Sequence, residues 1–404
     1  MLMNKNRVVW TSGYTLLNVA YFAAFCTVHA YAAVFLLARG FTNTQIGVLF
    51  AVANVTSALF QPFIAGIIDR GGFLTNRLFI LISCLTILAG SVLLLFIRDS
   101  KPAIFIIYAL IYMIQFAYQP VMTALCFEYQ KKGCDIYYGL ARGLGSAGFA
   151  VTSAFLGGAV AKHGETLLMS VTAVIMVISC VAIWFFVPPK KSASGEERVH
   201  TEGTKAPKEN LADFFRHYPA FTLFIIATVA FFFSHNMIND FMIQIIRSLG
   251  GGETDLGYAN FLQAILELPV MALIGIVLRK VSPARLIVFS GVAFFIKIMI
   301  LVFAKSLAFV YVSQSFQLFA YAVFIPASAY YVSATMAEHD QVKGQAFITS
   351  AITIGGVFSN LVSGVILDHS GIGLMLITGS AVCLAGVITA FMALGKRAVS
   401  QEKC

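Results

Sequence analysis

The chain has 404 residues, 59% of them hydrophobic and 11% charged, with 37 Phe and a mean hydropathy of +0.86. That balance lies far outside the soluble range and describes an integral membrane protein, whose first partner is the lipid bilayer. The net charge of +9 would suit nucleic acid if it were clustered, but the basic residues sort by loop, which makes the charge a topology signal and argues against a nucleic-acid partner.

A membrane-spanning helix needs about 20 mostly apolar residues. Twelve such runs are predicted, near 13–37, 45–68, 77–97, 102–127, 138–161, 166–187, 218–245, 257–278, 285–304, 306–335, 345–367 and 372–394. The first carries His29 and lacks a small-residue cleavage site, so it reads as a retained helix and not as a signal peptide. A lone His in such a run is expected to be satisfied by a neighbour, with proton shuttling as the alternative. The second run ends in the turn GIIDRGG, residues 66–72. Gly66 and Gly72 permit a tight turn and close helix approach. Asp69, beside Arg70, is placed to pair with a basic group or to cap a neighbouring helix. A conformational latch formed by Gly66, Asp69, Arg70 and Gly72 is the expectation, against a plain surface turn.

In the fourth run Gln115 is expected to act as interhelical glue, and Tyr118, like Tyr21 of the first, is a candidate for stacking on a solute. The fifth run, YGLARGLGSAGF (138–149), strands Arg142 among apolar residues. A charge in a membrane interior costs roughly 2.5–3.5 kcal/mol on insertion scales, and such residues face a bundle interior or an aqueous cavity. The guanidinium fork suits two sugar hydroxyls or a carboxylate, which makes Arg142 the candidate substrate anchor. After the sixth run, residues 189–216 are polar, basic and rich in Pro, Ser and Gly. They read as a flexible linker that divides the chain into an N-terminal six-helix unit (1–188) and a C-terminal one (217–404).

In the seventh run Asn236, Asn239, Asp240 and Gln244 share a face. A polar stripe toward a cavity and hydrogen bonding between helices are both open for the amides. Asn260, Gln263 and Glu267 continue the pattern in the eighth run, where Pro269 removes a backbone hydrogen bond beside Glu267. Glu267 lies about ten residues into its run, hence about 15 Å deep. Lys297 of the ninth run sits at similar depth, so a Glu267–Lys297 pair, or a relay including Asp240, is possible. A static buried ion pair that fixes helix register is the alternative. Proton coupling needs a carboxyl that is neutral in one state and ionised in another. Burial favours the neutral form and a nearby cation the charged one, so motion of a cation can switch it. Gln314, Gln317 and Tyr321 make a similar stripe in the tenth run; Asn54 and Asn360 are single embedded amides, expected to be glue. The seven Cys form no CxxC and no Cys/His cluster, so neither a metal site nor a disulfide framework is expected.

Of the 27 Lys and Arg residues, 19 fall on alternate loops that share a side with both termini. The positive-inside rule makes that side cytoplasmic, with the protein in the cell membrane. The halves also resemble each other: GIIDRGG after the second run matches GIVLRKVSP after the eighth, and TSAFLGGAVAKHG in the fifth matches FSNLVSGVILDHSG in the eleventh. Two six-helix repeats around a midplane site are a transporter architecture.

With Gly66, Asp69, Arg70, Gly72 and the downstream Arg77, the chain resembles the major facilitator superfamily, which carries a G-x-x-x-D-[RK]-x-G turn between its second and third helices. The resemblance covers the whole chain as topology. It implies an all-α membrane fold of twelve helices in two six-helix bundles related by a pseudo-twofold axis. Leu59-Phe-Gln-Pro62 and the segment from Tyr138 to Phe149 are similar to the lactose-permease branch of oligosaccharide:proton symporters, and Glu267-Leu-Pro269 looks more like the related phenylpropionate- and nucleoside-permease branch. By this resemblance Arg142 matches a substrate-bonding arginine, Phe149 the place of a stacking Trp, and Lys297 an arginine of the proton-coupling network. The chain also departs from the lactose permease. Its fourth-helix acid is missing after Pro120, its tenth-helix Lys, His and Glu fall on Gln314, Gln317 and Ala320, and Glu267 lies about a turn from its eighth-helix acid.

The expectation is a proton-coupled symporter that imports a small polar solute by alternating access, sugar or oligosaccharide favoured, acting as a monomer without a cofactor. Sodium is the second candidate for the coupling ion. The expected substrate residues are Arg142, Phe149, Asn236, Asn239, Gln263 and Gln317. The expected coupling residues are Glu267, Asp240 and Lys297. An aromatic acid or nucleoside is the alternative cargo. A drug/proton antiporter of the same fold is the alternative direction, disfavoured because the fifth run lacks the Pro of the antiporter motif. A sensor or membrane enzyme finds no nucleotide-binding glycine motif, metal cluster or appended domain in its favour.

Overall fold

The computed structural model describes residues 5–188 and 211–400, all of its regular elements helical. The spans follow the predicted runs. The first is Lys5–Phe25, a π-helical turn Cys26–Ala30 and a short half-helix Ala32–Ala38; the second to sixth are Asn43–Asp69, Asn76–Phe96, Lys101–Lys131, Tyr138–His163 and Thr166–Phe185. The seventh is again broken, into Pro219–Asp240 and Met242–Ser248. Glu253–Val277, Pro283–Val302, a tenth span built from Leu307–Ser315, Phe316–Leu318 and Tyr321–Thr335, then Glu338–His369 and Gly371–Ser400 complete the set. Eleven helices among the described residues are long and apolar enough to cross a membrane. The remaining one, Glu253–Val277, has 25 residues and so reaches about 37 Å, enough to cross despite Glu253, Asp255 and Glu267.

Residues 189–210 of the predicted linker lie outside the described residues. Its end is helical, not extended: Leu211–His217 is pinned because Phe214 buries its ring between Phe221 and Phe347, at centroid distances of 6.1 and 5.3 Å.

The packing repeats after six spans. Span one packs on five as seven packs on eleven, and three packs on six and four as nine packs on twelve and ten. The two halves meet through five against eight and through two against eleven, again equivalent pairs. Prolines obey the same repeat, with Pro62 and Pro269 inside spans two and eight and Pro120 and Pro326 inside four and ten. Each removes a ladder hydrogen bond at a matching place. The breaks repeat too: Tyr31 (φ −107°, ψ 11°) and Phe241 (φ −115°, ψ 24°) interrupt spans one and seven with nearly the same dihedrals. Within the N-terminal half, tyrosines staple helices to backbone: Tyr14 donates to the Met122 carbonyl at 3.1 Å, Tyr21 to that of Gln115 at 3.0 Å and Tyr108 to that of Val28 at 2.7 Å.

An even number of spans puts Lys5 and Ser400 on one face, here called terminal; the other is distal. The close contacts between halves all lie near the distal face. A Cβ on Gly47 would sit 2.1 Å from the Asn360 carbonyl, on Gly364 2.5 Å from that of Asn43, on Gly157 2.3 Å from that of Glu253, and on Gly257 2.5 Å from that of Ser153. Asp368 adds a clasp. Its Oδ1 accepts from the Asn43 backbone N–H at 3.0 Å and from Asn43 Nδ2 at 2.9 Å, and its Oδ2 from the Thr44 N–H at 2.7 Å. The carboxylate thus caps the N-terminus of span two from the opposite half, where backbone donors and helix dipole both favour an anion. Toward the terminal face Leu59, Phe63, Leu140, Leu144, Leu273 and Ile276 on spans two, five and eight are exposed. The halves are closed at the distal face and parted at the terminal one.

Gly47→Ala and Asp368→Ala are therefore expected to loosen the distal closure. Loss of the clasp should cost about 1–2 kcal/mol, a roughly 5–30-fold shift of the open–closed ratio. Spin-label distances between the distal ends of spans two and eleven check this; an unchanged distribution in both variants would refute it.

Candidate functional site between the halves

The stranded charges converge on the seam between the halves. Lys297, 0% exposed, donates from Nζ to Gln317 Oε1 at 2.6 Å, and Gln317, 1% exposed, donates from Nε2 to Glu267 Oε1 at 2.8 Å. The predicted direct Glu267–Lys297 pair is replaced by this amide bridge, and Gln317, expected to bind substrate, serves as the link. Its two ends are chemically different: the oxygen accepts from the lysine N–H and the nitrogen donates to the carboxylate, so only one amide orientation satisfies both neighbours. The bridge stays in place because Ser313 Oγ also donates to the Lys297 carbonyl at 2.8 Å, joining spans nine and ten.

Arg142 comes from the other half. Its guanidinium lies 4.1 Å over the Phe22 ring and donates to Ser146 Oγ at 2.9 Å, which holds the fork in place. Arg142 acts electrostatically on both Glu267 and Tyr321 without an ion pair to either. Base and acid thus come from opposite halves and lie within electrostatic reach of each other. Phe149, half-buried, belongs to an aromatic wall with Phe25 (6.3 Å), and Phe25 meets Phe116 (5.5 Å). The facing wall is polar: Gln263 Oε1 and Asn260 Nδ2 have no hydrogen-bond partner. Asn239 pairs with His235 at 2.9 Å, and the His235 ring stacks on Tyr321 at 5.3 Å.

Other expectations fall elsewhere. Tyr21 and Tyr118 are buried and meet edge-to-face at 4.9 Å, so they are packing and not solute contacts. Gln115 donates to the Tyr21 carbonyl at 3.3 Å and is glue, as expected. Gln314 is buried and donates to the Met242 sulfur, away from the opening. The His29 nitrogens have no hydrogen-bond partner, contrary to the satisfied histidine expected; Phe25, Tyr112 and Phe116 enclose its ring instead. Asp240 does not join the Glu267 bridge: it ends the first half-helix of span seven, with Asn360 and Tyr112 as its polar neighbours. Asn236 packs against Gly356 of span eleven. Gly66, Asp69, Arg70 and Gly72 lie exposed on the terminal face, and neither charged side chain has a partner among the described residues. Arg77 instead caps span six, donating to the carbonyls of Ile183 at 3.0 Å and Trp184 at 2.6 Å.

Sequence reasoning missed His235, four residues before Asn239 and so on its face, and the Phe22 ring under Arg142. The first signal was available; the second needs the packing of spans one and five.

The family model described as "MFS_1 like family" matches residues 14–377, nearly the whole chain. The chain belongs to the MFS_1-like family. It is a multi-span membrane protein of the major facilitator fold. It is 23% identical over 281 residues to the sucrose permease of Escherichia coli, covering 64% of this chain and 63% of the permease, less than two thirds of that relative's length. It is 23% identical over 353 residues to the uncharacterized transporter YwbF of Bacillus subtilis (strain 168), covering 85% and 83%. Two solved structures of the nucleoside transporter NupG, one of them a point mutant, superpose with TM-scores of 0.74 and 0.79 at 13% and 12% identity. They cover 96% and 95% of this chain and 98% and 99% of theirs, a likeness of fold.

Proposed function

We propose that this transporter is a proton-coupled symporter that imports a small polar solute, a sugar or oligosaccharide first, by rocking its two halves about the seam. The observation that carries the reading is the Lys297–Gln317–Glu267 bridge facing Arg142. A solute bound by the Arg142 fork reaches the same opening that Glu267 faces. The carboxyl keeps its second oxygen free of the bridge, available to take a proton or a solute hydroxyl. Protonation of Glu267 weakens its hold on Gln317 and hence on the lysine one amide away, and rearrangement of that chain is the step linking proton occupancy to motion of the C-terminal half. Rocking also suits the latch at Gly66, Asp69, Arg70 and Gly72, which closes when the terminal face does.

The positive side of the chain makes the terminal face cytoplasmic, so the parted state is inward-facing, in a monomer in the cell membrane. The aromatic wall of Phe25, Phe116 and Phe149 opposite Gln263 and Asn260 suits a flat ring with hydrogen-bonding edges. It favours a second reading, a nucleoside or aromatic acid, alongside a sugar ring.

Uptake into proteoliposomes under an imposed pH gradient tests the proposal, with cargo chosen by thermal-shift screening against sugars, nucleosides and aromatic acids. Uptake insensitive to the gradient and to a protonophore would refute proton coupling.

A further inference from the structure

We propose that the crossing of spans seven and eleven holds a site for a monovalent cation of sodium size, with Asp240, Asn360 and Asn236 supplying its oxygens.

The two helices meet in register. Gly355 lies against the Val229 carbonyl, the Phe233 backbone nitrogen and the Phe232 Cβ, and a Cβ on Gly356 would stand 2.6 Å from Asn236 Nδ2. One turn further along both helices, four residues on in each, are Asp240 and Asn360, which places them at the same crossing. Asn360 is 0% exposed, and neither Nδ2 nor Oδ1 has a hydrogen-bond partner. The amide acts on the Asp240 carboxylate without completing a hydrogen bond to it. A buried amide with both ends unpaired costs on the order of 1–3 kcal/mol per group, and in native proteins such groups mark a bound water, an ion or a working site.

The backbone contributes as well. Pro219–Asp240 is a 22-residue helix broken at Phe241. Its last carbonyls lack the donors of a following turn, and the negative end of the helix dipole points at the break. Half-helix C-termini of this kind coordinate cations in broken-helix transporters. The donor set is therefore hard oxygen: one carboxylate, two amides and terminal carbonyls. One carboxylate balances one charge; divalent sites in proteins gather more carboxylates or phosphate. In span one the equivalent break carries Ala30 where span seven has Asp240, so the repeat offers a single such site.

The other groups facing Asp240 are few. Tyr112 of span four presents its phenol, and His29 of span one lies behind it, with ring centroids 3.8 Å apart. On its own helix His235 is tied to Asn239. Phe50 of span two packs on Phe241 at 6.4 Å. The site thus sits on the distal side of the Glu267 bridge, where the two halves touch. The inference rests on the transport reading only for the coupling of this cation to uptake, so binding is tested without any solute.

The purified protein is melted in NaCl, KCl and choline chloride at one ionic strength, the series being repeated at two pH values. Sodium is expected to raise the wild-type midpoint by about 3 °C or more over choline. Asp240→Asn and Asn360→Ala lose that shift, and Glu267→Gln keeps it. Asp240→Glu, which preserves the charge, retains part of it and covers the case in which Asp240→Asn does not fold. Equal midpoints in the three salts overturn the proposal, as does a sodium shift surviving in both Asp240→Asn and Asn360→Ala. A response to pH with none to sodium overturns it too, leaving Asp240 as a proton site. A sodium shift that persists where no candidate solute is taken up upholds the site and counts against the solute reading alone.

Discussion

Glu267→Gln abolishes uphill accumulation of the solute, at least about tenfold below wild type, while exchange of solute across the membrane persists. The substitution is nearly isosteric, so the eighth span keeps its packing. The new amide oxygen still accepts from Gln317 Nε2, so the hydrogen bond of 2.8 Å is replaced and not simply lost. What disappears is the titratable proton. Lys297 then faces a neutral neighbour through the bridge in every state, so the bridge has one electrostatic condition where it had two, and cargo movement no longer depends on the proton gradient. Exchange needs only binding and rocking, neither of which uses that proton. Accumulation assays and counterflow on the same vesicles separate the two. Full proton-driven uptake by the variant would remove Glu267 from coupling.

Arg142→Ala weakens solute binding by one to two orders of magnitude, the loss of a charge-assisted contact of about 1.5–3 kcal/mol. The loss is specific because the guanidinium is already held over Phe22 and against Ser146; it carries little ordering cost into the complex. Arg142→Lys recovers only part of the affinity, since an ammonium keeps the charge but not the planar fork. Binding measured by calorimetry on the purified protein checks both variants, and unchanged affinity in Arg142→Ala would place the anchor elsewhere.

The twelve spans, the doubled architecture and the interior placement of Arg142, Glu267 and Lys297 were legible in the sequence for one reason. A charge among apolar residues is costly enough that its presence is informative by itself. What was not legible is how those charges meet. Gln317 looked like any amide on a helical stripe, and its role as a bridge depends on spans eight, nine and ten approaching to within one side chain. Asp368 lies at a span end, where acids are usual, and only the arrival of span two reveals it as a cap. Gly47 and Gly257 carried no signal at all, since their partners are carbonyl oxygens that every residue has. Gly66, Asp69, Arg70 and Gly72, expected to form a latch, are all exposed on the terminal face.

The four glycine contacts at the distal seam have a consequence for how such proteins diversify. Gly47, Gly157, Gly257 and Gly364 each press on a main-chain oxygen, a feature that survives any exchange of side chains on the facing helix. The closure energy is thus independent of the residues lining the opening. Walls such as Phe149, Gln263 and Asn260 can be rewritten for a new cargo while the hinge behind them keeps its balance. Interiors built on this scaffold can therefore differ throughout and keep the same main-chain contact.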